Sequence, residues 1–350
     1  METVVWPVNT LVTHRWSHPD ECAAILWLRL FGEARYPGVS KAGVLYVDAG
    51  SRPEDSPAFK DRQDWNWQDL LAQGYVSIGV FGGPYDEHPY WGVRRKQGES
   101  AASLVAKDLG IAGDPAVAYV NKYVTSNDLH GKANPFEFAS LLKAMHFAHR
   151  DEPSKVMKFA MAALQAKYAE QQGFQQAIRE LAQVDIREIR GARRMLRVAI
   201  VKSDGQLINR AAFSSRGNLN IDLLVQAKTS GHVQIYTSAA SGINIVPIVR
   251  AIRTSERGFK GISVGVNDAT LVSEGRFVPG AEEWAYIEAG QMILNGSLSA
   301  TNLPPTKIPF GNLVAIVLRE LPRCPSRPVP VKLFGGPKLP TRPASVVHTK

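Results

Sequence analysis

The sequence contains no apolar run of the length that a membrane span needs, which is about 20 residues. None of its 350 residues lies in a stretch that approaches this length. The first ten residues have neither the basic cluster nor the apolar stretch of a secretory signal. We therefore expect a cytoplasmic protein that has no membrane partner.

Cysteine is almost absent, since the chain contains only Cys22 and Cys324. Two thiols so far apart in sequence cannot form the disulfide framework of a small secreted domain or a cysteine-rich zinc site. Cys22 lies in an apolar run, where a small buried thiol is the ordinary expectation. The sequence therefore predicts neither a disulfide framework nor a structural zinc site.

Acidic residues are fewer than basic ones, 32 against 41, which gives a formal net charge of +9. This balance is compatible with a polyanionic partner such as a nucleic acid or nucleotide, although many basic enzymes bind neither. Residues 321–350 contain seven prolines and no acidic residue, which is typical of an extended or disordered tail.

The chain is long enough for two domains, because single cores usually stop growing near about 250 residues. In the N-terminal part, three apolar strands are predicted at residues 10–13, 43–47 and 75–81. Helices are predicted at residues 21–31, 99–109 and 116–124. Alternating strands and helices indicate an α/β fold with a parallel sheet, whose ligands bind at the carboxyl ends of the strands.

Strand patterns disappear between residues 135 and 183, where helix formers dominate and Pro153 suits a first helical turn. A second, smaller α/β region follows, with strands predicted at residues 197–202, 221–227, 232–237 and 315–319. A helix broken or started at Pro247 is expected there. We predict a catalytic domain at 1–150, a helical connector at 151–192, a C-terminal domain at 193–320 and a basic tail at 321–350.

Histidines and carboxylates concentrate at the ends of the predicted N-terminal elements. Neutral imidazoles and carboxylates are common ligands of Mn, Fe and Zn. A capping or surface role suits each residue alone, but their shared placement favours a metal site. The residues are His14, His18, Asp20, Asp48, Asp86, Glu87, His88, Asp128 and His130.

These motifs and their order resemble the DHH phosphoesterase superfamily. The chain has His-x-x-x-His-x-Asp at His14, then a strand followed by Asp48, then Gly-Gly-Pro-Tyr-Asp-Glu-His-Pro at residues 82–89, a helix of small residues, and Asn127-Asp128. Within the superfamily it most resembles the melanocyte-proliferating-gene branch, whose members look like metal-dependent exonucleases. The similarity covers the N-terminal domain well and the C-terminal domain weakly.

The resemblance implies a site for two divalent ions, with Mn favoured and Mg the alternative. It implies that His14 and His18 bind one metal, Asp20 binds the second, Asp48 bridges them and Asp128 completes the site. The third motif is Asp-His-His in the superfamily, and here it reads Asp86-Glu87-His88. Glu87 replaces a histidine ligand, and His88 matches the histidine that contacts the substrate phosphate.

Two further features suggest how a substrate is held. The basic run Arg94, Arg95 and Lys96 follows the third motif closely enough to contact a phosphate. The resemblance also implies that the C-terminal domain binds substrate. Aromatic candidates for stacking on bases, for which burial is the other interpretation, are Trp65, Trp67, Tyr90 and Trp91.

The sequence therefore predicts a two-metal phosphodiester hydrolase that acts on RNA or oligonucleotide ends. Two alternatives stay open. One is a phosphoesterase for a dinucleotide or pyrophosphate, and the other is a nucleotide- or RNA-binding protein in which Glu87 has abolished catalysis. The oligomeric state, a homo-oligomer included, is also left open.

Overall fold

The computed structural model describes residues 6–61, 64–88, 96–131, 133–297, 300 and 302–327. Its contacts divide the chain into two units, residues 1–176 and residues 177–350. The division falls inside one long helix, α6 (Pro153–Ala182), which begins at the proline expected to start a helix. No helix in the described part of the chain has the length and apolar character that crossing a membrane requires.

Unit 1 is built on a three-stranded parallel sheet. The central strand β1 (Thr10–His14) lies between β2 (Gly43–Val47) and β3 (Tyr75–Ser77). Parallel strands need crossover connections, and the one from β1 to β2 contains the helix α1 (Pro19–Phe31). All three strands end at the same sheet edge, so the polar residues that follow them are carried to one side of the unit.

Helix α1 is the centre of the unit 1 core. Residues 22–28 are all buried, which explains why its sequence is apolar on every face rather than amphipathic. Trp27 is the largest of these side chains, and its indole N–H donates to the Asn121 side-chain oxygen at 2.8 Å. The only polar group of the buried Trp27 side chain is therefore hydrogen-bonded. The other helices of unit 1 are α2 (Trp67–Ala72), α3 (Ala101–Asp108), α4 (Pro115–His130), α5 (Phe138–Ala148) and most of α6.

Unit 2 contains a six-stranded mixed sheet in the order β4-β5-β6-β7-β9-β8. Only β5 and β6 are parallel, and the other neighbours are antiparallel. The strands are β4 (Ile186–Arg190), β5 (Met195–Lys202), β6 (Leu223–Ala227), β7 (Val233–Thr237), β8 (Trp284–Ile287) and β9 (Met292–Asn295). The helices are α7 (Ile208–Ala212), α8 (Val246–Phe259), α9 (Asp268–Leu271) and α10 (Phe310–Glu320).

The mixed α/β class is as expected, and three details of unit 2 differ from the sequence prediction. Residues 315–319 form part of α10 and not a strand. Strand β4 lies in the segment predicted to be a helical connector. Leu321 and Cys324, at the start of the predicted tail, are buried, because they pack into the unit 2 core. Residues 328–350 lie outside the described residues.

Candidate metal centre

Strand β1 delivers His14 to the edge of the sheet, where its side chain is buried. Its Nε2 lies 2.8 Å from Oε1 of Glu21 in the first turn of α1. The other Glu21 oxygen, Oε2, accepts a hydrogen bond from the His18 backbone N–H at 2.6 Å. Glu21 thus caps the helix, which starts at Pro19, and orients His14 at the same time.

Asp20 is also fully buried beside this pair. Its Oδ2 accepts a hydrogen bond from the Ala101 backbone N–H at 3.2 Å, at the start of α3. Its Oδ1 has no hydrogen-bond partner in the described part of the chain. A buried carboxylate oxygen without a donor is costly unless a cation or water satisfies it.

The third motif lies in the loop after β3. Asp86 accepts hydrogen bonds from the Gly82 N–H at 2.8 Å and the His88 N–H at 3.0 Å, and its Oδ1 is 3.1 Å from Nδ1 of His88. Glu87 is fully buried, yet neither of its carboxylate oxygens has a hydrogen-bond partner among the described residues. Its Oε1 lies 3.4 Å from Nδ1 of His88.

A glycine allows the third-motif segment to approach α1. Gly79 has a φ of +65°, and a Cβ at this position would lie 2.9 Å from both Cγ and Oε1 of Glu21. Any other residue would therefore meet both backbone strain and a steric clash. The close approach brings the chain that leads to Glu87 against the carboxylate that orients His14.

Three groups of potential ligand atoms occur among the described residues. Each group has its ligand atoms within 4.8 Å of one another. His18 belongs to two of them, so these two adjoin. The groups are His14, His18 and Glu21; then His18, Asp20 and Asp128; and then Asp86, Glu87 and His88.

The pKa values of the buried carboxylates Asp20 and Glu87 are both raised. Burial, and then repulsion by Glu21, Glu87 and Asp128, raises the pKa of Asp20 well above its ordinary value. Burial and the charge of Glu21 raise the pKa of Glu87 to about 7. Burial is the largest cause of both shifts and repulsion between carboxylates comes next, so both side chains resist ionisation in the absence of a cation.

The pKa values of His14 and His88 are raised as well. Burial disfavours the charged form of His14, but the charge and hydrogen bond of Glu21 outweigh it and raise the pKa of His14. Burial acts to raise the pKa of Glu21, but His14 and His18 lower it to about 2. The hydrogen bond with Asp86 raises the pKa of His88 to about 9. The protonated form of each ring is therefore favoured by its carboxylate partner, Glu21 for His14 and Asp86 for His88.

The remaining predicted residues are placed less centrally. Asp48 follows β2 at the same sheet edge, but its side chain is 83% exposed and pairs with Arg15, Nε to Oδ1, at 3.1 Å. It belongs to none of the three groups, so its bridging role stays a prediction. Lys96 donates to the carbonyl oxygens of Gly83 at 3.0 Å and Pro84 at 2.8 Å. Arg94 and Arg95 lie outside the described residues.

Two residues of the site were not predicted as functional. Glu21 stands beside Asp20 in the first motif, and its position three residues after the helix-capping His18 was the available signal. His146 on α5 is buried, and its Nε2 lies 3.0 Å from the Ser17 carbonyl oxygen, so the tautomer protonated there can donate to it. Nothing in the sequence near His146 links it to the first motif, because 129 residues separate it from Ser17.

The residues present fit a divalent cation. The site combines carboxylates and imidazoles, which are ordinary ligands of such ions. Several buried atoms of the site have no hydrogen-bond partner among the described residues, and they include Oδ1 of Asp20, both carboxylate oxygens of Glu87 and Nδ1 of His14. The chain matches no known family model and no curated protein. The resemblance to the DHH superfamily therefore rests on the motifs themselves.

Proposed function

We propose that this protein is a metal-dependent phosphodiester hydrolase acting on RNA or oligonucleotide ends, with Mn as the favoured ion. The proposal rests above all on one observation. Asp20 and Glu87 are fully buried, and three of their four carboxylate oxygens accept no hydrogen bond from the described residues. Because buried carboxylate oxygens without hydrogen-bond donors are costly, this arrangement favours a bound cation.

Metal binding is assigned to the first two ligand groups together with the buried Glu87. The resemblance implies two ions. The residues that would hold them are His14, His18, Asp20, Glu21, Glu87 and Asp128. A divalent ion bound there would supply Lewis-acid chemistry, which neutralises developing charge on phosphate oxygens and lowers the pKa of water.

His88 is assigned to the substrate. Its side chain is 41% exposed, and its bond to Asp86 favours the protonated ring. A protonated imidazole can donate to a phosphate oxygen or give its proton to the leaving oxygen. Asp86 has three hydrogen-bond contacts within the loop, so its carboxylate positions His88 and fixes the loop backbone.

The test is metal binding and hydrolysis measured on the same samples. Metal-stripped protein is titrated with Mn or Mg and assayed on bis(p-nitrophenyl) phosphate and on a short end-labelled RNA. We expect metal-dependent cleavage by the native chain and a loss of at least about 100-fold in Asp20→Asn, which keeps the acceptor for the Ala101 N–H. Asp151→Asn is the matched control, because Asp151 is exposed in the same unit.

The substrates separate the alternatives. Cleavage of the RNA from one end supports the exonuclease, while cleavage of the small ester alone indicates a small-molecule phosphoesterase. Binding of RNA without cleavage under any metal would contradict the hydrolase and indicate a binding protein.

A further inference from the structure

A cavity of about 310 Å³ adjoins the candidate metal centre within unit 1. Its walls come from the loop between β1 and α1, the end of α4, and α5. His18 lines it and also belongs to two of the three ligand groups. A molecule held in this cavity would therefore be next to anything bound at the metal centre. The polar and aromatic lining residues include Trp16, His18, Asn127, Ser140, Lys143 and His146.

Trp16 is held as a rigid platform in this wall. Its ring is nearly parallel to the His146 ring, with centroids 5.4 Å apart and an angle of 8° between planes. Phe147 packs edge-on against it, with centroids 5.1 Å apart. His146 is itself buried and lies within hydrogen-bonding distance of the Ser17 carbonyl oxygen, so the ring under Trp16 has a fixed position.

Trp16 nevertheless remains 38% exposed. A tryptophan stacked on one aromatic ring and partly open to a cavity can accept a second flat ring by the same interaction. The exposed Lys143 lines the same cavity and adds a positive charge. The lining thus suits a ligand that carries both a flat aromatic ring and an anionic group.

We propose that this cavity is a nucleobase subsite, in which Trp16 stacks on the base of the nucleotide whose phosphate lies at the metal centre. The inference rests on the proposed function, because it places the phosphate at the buried carboxylates. Lys143 assists by contacting an adjacent phosphate. Stacking reads no sequence, so the subsite selects nucleotides over other phosphate esters without preferring one base.

The test compares adenosine 5′-monophosphate with ribose 5-phosphate, which has a hydroxyl group in place of the base. Their affinities for the full chain are measured by isothermal titration calorimetry, with Mn present and with metal removed. We expect the native protein to bind the nucleotide about tenfold more tightly, the ratio that about 1.4 kcal/mol of stacking gives. In Trp16→Ala this ratio should fall below about twofold, and in Trp16→Phe most of it should remain.

Tyr119→Ala is the matched control. Tyr119 is equally exposed, at 38%, but lines a different cavity of unit 1. Tyr119→Ala should keep the native affinity ratio. The thermal stability of Trp16→Ala and of Tyr119→Ala should equal that of the native protein. The subsite would be overturned by any of three results. The native protein binds the two ligands equally, it binds neither ligand, or Trp16→Ala keeps the native affinity ratio.

The outcome is separable from that of the proposed function. A native preference for the nucleotide that depends on Trp16, in a protein that cleaves no phosphodiester with any metal, would support the subsite and contradict the hydrolase. Metal-dependent cleavage together with equal affinity for the two ligands would support the hydrolase and contradict the subsite.

Discussion

Asp86 and Glu87 are neighbours with opposite hydrogen-bonding states. The Asp86 carboxylate accepts from two backbone N–H groups and contacts the His88 ring, whereas the Glu87 carboxylate accepts no hydrogen bond from the described residues. Since lone pairs already used by N–H donors are less available to a metal, Glu87 would be the better ligand of the two. The residue that differs from the motif of the resembled superfamily would therefore keep the chemistry of a ligand.

His88 provides the sharpest prediction for a single residue. Because its side chain is exposed and assigned to the phosphate, His88→Ala should lower kcat about 100-fold or more. The bound Mn, measured by atomic absorption on the same preparation, should change less than twofold. His149→Ala, which removes a histidine that pairs with Glu152 and belongs to none of the three ligand groups, should alter neither value. Equal losses of metal and turnover would instead make His88 a ligand.

At this scale the sequence predicted residue types better than positions. His14, Asp20 and Glu87 were predicted from their placement after strands or before a helix, and all three lie in the buried pocket. Asp48 satisfies the same rule, yet its side chain is exposed beside Arg15. Strand ends fix where a backbone arrives, but side-chain direction depends on contacts with elements that are distant in sequence.

Helix α8 of unit 2 holds a buried polar network that anchors loops to the core. The Arg253 guanidinium is fully buried and donates to the carbonyl oxygens of Leu271, Ser273, Gly275 and Trp284. One turn later, Glu256 accepts from the Trp284 indole N–H at 3.0 Å, the Lys307 N–H at 2.9 Å and the Thr306 hydroxyl. Together these side chains fix the segments on either side of β8 and β9.

Glu256→Gln should destabilise unit 2 by about 2 to 4 kcal/mol at pH 7. The glutamine side chain has an NH₂ group in place of one carboxylate oxygen, and this group cannot accept the hydrogen bonds that Glu256 receives. Burial opposes ionisation of Glu256, but hydrogen bonds from its neighbours lower its pKa below the ordinary 4.5. A lowered folded-state pKa gives stability that is present above pH 4.5 and lost below it. The difference between native and variant should therefore shrink as the pH falls below 4.5.

Hydrogen exchange of the α8 and β8 amides measures this difference in unit 2 alone. Glu288→Gln, at an exposed glutamate of the same unit, is the control and should exchange like the native protein. A gap that stays constant from pH 7 to pH 4 would contradict the assignment of an ionised Glu256.

Elements were predictable where pattern and boundary signals agreed. Strand β2 coincides with its prediction, and α6 begins at the expected proline. Helix α10 was mistaken for a strand, because a short apolar run does not distinguish the two by itself. The buried residues of α10 have helical spacing, and they are Leu313, Ile316, Val317 and Glu320. The run 315–319 contains only two of them, so the spacing becomes visible only over the whole of Phe310–Glu320.

At the scale of the whole molecule, the three ligand groups all lie in unit 1. Metal binding should therefore stabilise unit 1 directly, by about 2.7 kcal/mol at an ion concentration 100 times Kd. A cation would offset both the burial of these carboxylates and the repulsion between them, so the metal-free protein should be weakest where Asp20 and Glu87 lie.

Chelation followed by hydrogen exchange tests this prediction on the intact chain. Removing metal with EDTA should increase exchange in the first turn of α1 and in residues 82–88, while α8 and β6 of unit 2 keep their rates. Restoring Mn should restore protection in the native protein but not in Asp20→Asn, and Asp151→Asn should behave as native. Equal loosening of both units would mean that the ion acts on the whole molecule. Unchanged exchange on chelation would mean that the buried carboxylates are satisfied without a metal, most simply by sharing protons, as the raised pKa values of Asp20 and Glu87 would then allow.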